Sequence, residues 1–166
     1  MRGLCRYIIF ADQTTRRPAF GGLSFFRRYH VTTMATSDPH RTTVLIVDDH
    51  RLFRAGVRAV LEEYPEIVIV GEATNGLEAV NHARAFRPRV IVMDVDMPYM
   101  DGIQATRLIK QELQHTTIIG LSVNESRTIR DALLEAGAVT YLQKNDVDID
   151  LYRCIQQSLG GQLSAS

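Results

Sequence analysis

Five short runs of branched apolar residues, each parted from the next by a stretch of helical period, constrain this chain more than anything else in it. The runs are Val44–Val47, Ile67–Val70, Val90–Met93, Ile118–Leu121 and Val139–Leu142. None alternates apolar with polar residues, so each reads as a strand buried on both faces, the habit of a parallel sheet. Parallel neighbours need crossovers, and the intervening segments supply helices. Phe53, Val57, Val60, Leu61 and Tyr64 are spaced as one helix face, and Leu77, Val80 and Ala83 follow Asn75–Gly76. Ile103, Thr106, Ile109 and Leu113 follow Gly102 in the same way. Ile129, Leu133 and Ala136 lead to Gly137, placed just past a helix end, and Leu151, Ile155 and Leu159 stripe a last helix. The pattern predicts an α/β fold, a (βα)5 doubly wound parallel sheet with right-handed crossovers and helices on both faces. Functional groups of such sheets lie outside the carboxyl ends of the strands.

What stands at those ends is informative. The first strand ends in Asp48–Asp49, the third in Asp94 and the fourth in Ser122, while Lys144 follows the fifth. Three carboxylates, a hydroxyl and an ammonium therefore converge on one edge from four strands distant in sequence. Clustered carboxylates repel and need a cation, and an all-oxygen site open to water suits Mg²⁺. Beside such a cation one carboxylate can act as a nucleophile toward phosphorus and form an acyl phosphate. The ammonium and the hydroxyl then compensate charge on the phosphoryl oxygens. Taken singly the same residues are bland. Ser122 alone reads as the N-cap of the following helix, Tyr141 as a packed strand aromatic, and Cys154 as a small apolar residue at a stripe's edge. His50 follows the acid pair without a partner at metal-ligand spacing and reads as local structure. Met97, Pro98 and Gly102 shape a loop.

The strings VLIVDDH, VIVMDVDMPYMDG, IIGLSVN and YLQK closely resemble the receiver domain of two-component response regulators. The run DDHRLFRAGVRAVLE resembles the NarL/FixJ (LuxR-type) subfamily. The resemblance covers about residues 42–163 and implies the flavodoxin-like strand order 2-1-3-4-5. It implies Asp94 as the phosphoacceptor and a ligand of Mg²⁺, Asp49 as a direct ligand, Asp48 as a ligand mainly through water, and Asp96 through its backbone carbonyl. Ser122 and Lys144 would contact the phosphoryl group, with Ser122 and Tyr141 as the switch pair. The implied partner is a histidine kinase or phosphotransfer protein, with a homodimer as a further option. The implied output is a changed face formed by the fourth helix, fifth strand and fifth helix. On this reading the chain is a stoichiometric acceptor and not a turnover enzyme. Two departures stand out. Asn145 occupies the place where many receivers carry Pro, so a trans bond is expected, and Asp96 adds a carboxylate beside the phosphorylation site.

Charge sharpens the domain picture. The 166 residues carry 19 basic and 19 acidic groups, but residues 1–40 hold six Arg against two Asp, a net of +4. Residues 41–166 keep 13 basic and 17 acidic groups, a net of −4, which disfavours direct contact with nucleic acid. Residues 1–40 show neither period and read as a disordered leader or a start placed too early, with Met34 as the natural beginning. Residues 41–163 form the receiver, and 164–166 begin a linker or tail, LGGQLS resembling the exit from a receiver. Two cysteines do not make a disulfide framework, and no run approaches the roughly 20 apolar residues of a membrane span, so a cytoplasmic protein is expected. Three alternatives stay open. They are a transcription regulator truncated before its helix-turn-helix, a receiver kept only as a binding module, and a phosphohydrolase of the haloacid-dehalogenase type. The last rests on Asp94–Val95–Asp96, an Asp-x-Asp that such enzymes carry on a first strand.

Overall fold

The computed structural model describes residues 41–123 and 126–160, and the expectations for residues 1–40 and 164–166 fall outside them. The elements run β1 (Thr42–Val47), α1 (Arg51–Glu62), β2 (Ile67–Ala73), α2 (Gly76–Phe86), β3 (Val90–Asp94) and α3 (Gly102–Glu112). They continue with β4 (Thr117–Ser122), α4 (Arg127–Glu135), β5 (Thr140–Gln143), a 3₁₀ turn at Lys144–Asp146, and α5 (Val147–Gly160). All pairings are parallel and the strand order is β2-β1-β3-β4-β5, as expected.

Strand pleating sorts neighbouring residues into two separate cores. Val44, Ile46, Val90, Val92, Ile119 and Leu121 face a layer closed by Val57 and Leu61 of α1 and by Leu151, Ile155 and Leu159 of α5. Leu45, Val47, Ile91, Met93 and Ile118 face the other layer, closed by α2, α3 and Leu133 of α4. The central strands β1, β3 and β4 are almost wholly buried, which is why their sequences do not alternate.

Some expectations need correction at the margins. Residues 67–72 of β2 are half-buried, because β2 is an edge strand with a neighbour on one side only. β5 starts at Thr140, leaving Val139 exposed before it. The buried face of α2 runs through Gly76, Ala79, Val80 and Ala83, an i, i+3, i+4, i+7 series, and Leu77 lies one residue off it and is 55% exposed. Leu113 sits at the C-cap of α3, and Tyr64 lies beyond α1. The Tyr64 ring stacks on Tyr152 of α5 at 3.5 Å between centroids, and the Tyr152 hydroxyl donates to Glu66. Gly137, at φ +110°, does take the left-handed place after α4. Cys154 is half-buried against the α1–α5 layer, and burial pushes its thiol pKa up. There is no cis peptide among the described residues, so the Lys144–Asn145 bond is trans.

Local chemistry fixes the helix starts near the functional edge. Asn75 caps α2 by accepting from the Glu78 amide at 2.9 Å, and Asp101 caps α3 by accepting from the Gln104 amide at 2.7 Å. On the opposite side α1 is clamped to β2. Glu72 accepts from Arg54 Nε at 3.0 Å and from Arg58 Nε and Nη2 at 2.8 and 2.7 Å. Burial alone would push the Glu72 carboxyl up, but the two guanidiniums outweigh it and hold the pKa below the usual glutamate range. A depressed carboxyl contributes stability above its unfolded pKa and loses it as pH falls through the folded value. Glu72→Gln should therefore cost about 1 kcal/mol at pH 7, the pair being partly screened. In paired thermal melts the gap between the two proteins should close as pH drops below the ordinary value of 4.5. A gap constant with pH would mean that the charge is not what clamps α1.

Candidate acidic site at the strand ends

The carboxyl ends of β1, β3 and β4 and the turn after β5 form one edge of the molecule, and the sequence places its acids there. Asp48 follows β1 directly, and its amide donates to the Ala73 carbonyl at 3.1 Å, which holds the β1 end against β2. Asp94 closes β3. The next residue, Val95, donates to the Leu121 carbonyl at 3.0 Å and accepts from the Gly102 amide at 2.9 Å, so the end of β3 is tied to both β4 and α3. At Gly102 a Cβ would lie 2.0 Å from the Asp94 carbonyl oxygen, an approach only glycine permits.

The side chains of Asp48 and Asp94 are each 1% exposed, and Lys144 Nζ lies between them, 2.6 Å from Asp48 Oδ2 and 2.9 Å from Asp94 Oδ2. Beyond that ammonium these two buried oxygens have no hydrogen-bonding partner. Burial is the largest influence on Asp94 and raises its pKa to about 6, with the Asp48 charge adding to the rise and Lys144 opposing it. The carboxylate still predominates at neutral pH. For Lys144 burial disfavours the charge, yet the two carboxylates prevail and raise its pKa. Its ammonium also lies 4.6 Å from the centre of the Phe53 ring, so a residue that reads from sequence as part of the α1 stripe shields the lysine as well.

Asp49 is the open acid of the group, with its side chain 30% exposed. Asp96 is exposed in the loop after β3, and its amide donates to Asp94 Oδ1 at 3.3 Å. Ser122 is fully buried at the end of β4, opposite Gln143 of β5. It does not cap α4; Ser126 occupies that N-cap position, because four residues separate Ser122 from the helix. Tyr141 of β5 is half-buried against the α2–α4 layer. The edge thus brings Asp48, Asp49, Asp94 and Lys144 together, with Ser122 at the adjoining strand end.

Two contributors escape a reading by residue type. Arg54 Nη1 donates to the Asp48 carbonyl at 2.7 Å, fixing the backbone from which Asp48 projects. His50 belongs to the cluster and is not merely local structure. Its amide donates to Asp48 Oδ1 at 2.7 Å, and its Nδ1 lies 2.7 Å from Asp49 Oδ1 and 3.4 Å from Asp48 Oδ1. Ligand atoms of Asp48, Asp49, His50 and Asp94 all fall within 4.8 Å of one another. The signal in the sequence was adjacency to the acid pair. Adjacency is not a metal-ligand spacing; the extended backbone at His50 is what brings the imidazole back to the acids.

Comparison with known proteins gives the same direction from independent data. Residues 44–156 match the family model of the response regulator receiver domain. Response regulator UvrY of Escherichia coli O6:H1 is 39% identical over 119 residues, which are 72% of this chain and 55% of UvrY. A protein-glutamate methylesterase/protein-glutamine glutaminase of Pseudomonas syringae pv. syringae is 47% identical over 108 residues, 64% of this chain and 28% of that protein. The chain therefore spans from about a quarter to about half of these curated relatives' lengths. Among solved structures, a LuxR-family two-component response regulator from Aurantimonas sp. SI85-9A1 superposes with a TM-score of 0.70 at 31% identity, covering 73% of this chain and 86% of that one. The response regulator domain of Thermotoga maritima CheB gives 0.67 at 31% identity, covering 72% and 97%.

Proposed function

The chain belongs to the response regulator receiver domain family, on its NarL/FixJ (LuxR-type) branch, and from that premise we propose that it is a phosphorylation-driven switch with Asp94 as its phosphoacceptor. The observation that carries this reading is a buried carboxylate at the end of the central strand, held ionised by one lysine and bordered by two further acids. An Asp94 carboxylate oxygen attacks phosphorus of the donor, a phosphohistidine of a kinase or phosphotransfer protein. The P–N bond breaks, the electron pair stays on the imidazole, and an acyl phosphate remains on Asp94. Lys144 then turns part of its charge from Asp94 to the new phosphoryl oxygens, and Ser122 donates to one of them.

Mg²⁺ fits the donor set on two grounds: the buried Oδ2 atoms of Asp48 and Asp94 have no partner beyond the Lys144 ammonium, and the Asp49 side is open to solvent. Asp49 and Asp94 would hold the ion directly, Asp48 through water, and Asp96 through its backbone carbonyl. When bound it neutralises charge between the carboxylates and the incoming phosphoryl group.

Movement of Ser122 toward the phosphoryl group leaves room into which Tyr141 turns, and the α4–β5–α5 face changes for a partner protein or a second copy. The kinship with UvrY and with a LuxR-family regulator supports transcription control as the process served. No helix among the described residues is long and apolar enough to cross a membrane, which accords with a cytoplasmic site of action. Excess acetyl phosphate with Mg²⁺ tests the reading. Intact-mass measurement should find a single phosphoryl addition, absent when a chelator is present, and phosphate release should remain slow. Many turnovers per chain would replace the switch with the phosphohydrolase suggested by Asp94–Val95–Asp96.

A further inference from the structure

The far edge of the sheet, where the amino ends of β3 and β4 lie, carries a cavity that the acidic site does not use. The α2–β3 and α3–β4 connections enclose it, and its volume is about 360 Å³, within the ~300–1,000 Å³ range of small-molecule sites. Arg87 and Arg89 line it on either side of Pro88, and His115 lines it from the other connection. The arginine ion pairs among the described residues are those of Arg54, Arg58, Arg84 and Arg153, so neither guanidinium of the lining has an acidic partner. Glu112, the acid of the lining, is engaged elsewhere, since it accepts from Arg84 Nε and Nη2 at 2.8 and 2.6 Å.

The backbone under these side chains is fixed. The Thr116 hydroxyl donates to the Pro88 carbonyl at 3.0 Å, the Thr117 amide to the Arg89 carbonyl at 2.9 Å, and the Arg89 amide to Thr43 Oγ1 at 2.9 Å. Arg87 ends α2 in the left-handed conformation, at φ +45° and ψ +57°, a place that Gly or Asn takes at less cost. An arginine standing where glycine is the easier residue marks the side chain, not the backbone, as what the position serves.

We propose that this cavity binds a small organic phosphate, with its phosphate group held by Arg87 and Arg89 and its organic part against Leu113 and Pro88. A phosphate monoester is close to doubly charged at neutral pH, and guanidiniums meet its oxygens with paired N–H donors. His115 supplies a further ring N–H. The apolar wall is what separates an organic phosphate from the bare ion. The site lies at the opposite edge from Asp94 and takes no part in phosphoryl transfer there, so the two readings stand or fall separately.

AMP and inorganic phosphate, titrated without divalent cation into ¹⁵N-labelled protein and followed by amide NMR shifts, test the proposal. AMP should shift the Arg87, Arg89 and Thr116 amides to saturation, and inorganic phosphate should bind more weakly at the same amides. Arg87→Gly and Arg89→Ala should each weaken AMP binding about tenfold or more. Arg107→Ala, an exposed arginine of α3 outside the lining, should change it less than about twofold. Arg87→Gly suits the left-handed backbone, so its melting temperature should hold or rise while binding is lost. Equal affinity for AMP and inorganic phosphate overturns the organic-phosphate assignment. Equal losses in all three variants overturn the site, because general charge attraction would then be the cause. Shifts confined to residues around Asp94 and Lys144, or none at all, overturn it as well.

Discussion

Asp94→Asn should take phosphoryl incorporation from about one group per chain to none detectable by intact mass, whatever the donor. The other acids do not substitute. Asp48 is as buried as Asp94, accepts from the His50 amide and is ion-paired to Lys144, while Asp49 is the open acid assigned to the metal. The variant should not fail by unfolding. Burial raises the Asp94 pKa to about 6, so at pH 7 the folded protein carries this charge at a cost. A carboxyl whose folded pKa lies above its unfolded value lowers stability at pH values above both. The neutral amide relieves that cost, and Lys144 keeps Asp48 as its counter-ion. The melting temperature at pH 7 should therefore hold or rise while the chemistry disappears. Labelling of Asp94→Asn at the wild-type level would sink the assignment.

The second large effect comes from one methyl group. A Cβ on Gly102 would meet the Asp94 carbonyl oxygen at 2.0 Å, the Asp94 carbonyl carbon at 2.9 Å and the Val95 Cα at 3.0 Å. These are all backbone atoms, so no rotamer change relieves the clash. Either α3 backs away from β3, breaking the Gly102–Val95 hydrogen bond, or the end of β3 shifts with Asp94 on it. Gly102→Ala should cost about 3 kcal/mol or more, a fall of roughly 10 °C in melting temperature, and should slow phosphorylation of whatever remains folded. Gly56→Ala is the matched control. Nothing lies within 4 Å of its Cβ position in α1, so the same change should stabilise by roughly 0.5–1 kcal/mol. Opposite signs from the same chemical change would isolate the close approach as the cause, and a Gly102→Ala protein that melts like the wild type would contradict it.

The fold was legible because the central strands are covered on both sides, which leaves an unbroken apolar run that nothing else explains. Legibility failed where coverage fails. Edge strand β2 has a similarly apolar sequence but half-buried side chains, since composition does not say where in a sheet a strand lies. Leu77 is apolar at a position one residue off the buried stripe, and the alanines that form that stripe give a weak hydrophobic signal. At the site, acids and lysine could be placed from strand ends alone, because a parallel sheet sends all those ends to one edge. What could not be placed was whatever depends on a backbone turn. The return of His50 Nδ1 to Asp49, the reach of Arg54 to the Asp48 carbonyl and the Phe53 ring near Lys144 follow from the path between β1 and α1. No period records that path.

The pleating that sorts strand residues into two cores also sets how such a chain can diverge over time. Along β3, Val90 and Val92 answer to α1 and α5, while Ile91 and Met93 answer to α2, α3 and α4. Adjacent codons are thus under selection from different sets of helices. A volume change accepted in one layer imposes little on the other, as distant and unshared contacts add independently. The outer surfaces carried by the two layers can then drift apart in lineages that serve different partners. The row of acids at the sheet's end belongs to neither layer, so a volume change in either one reaches it only through the strand that carries it.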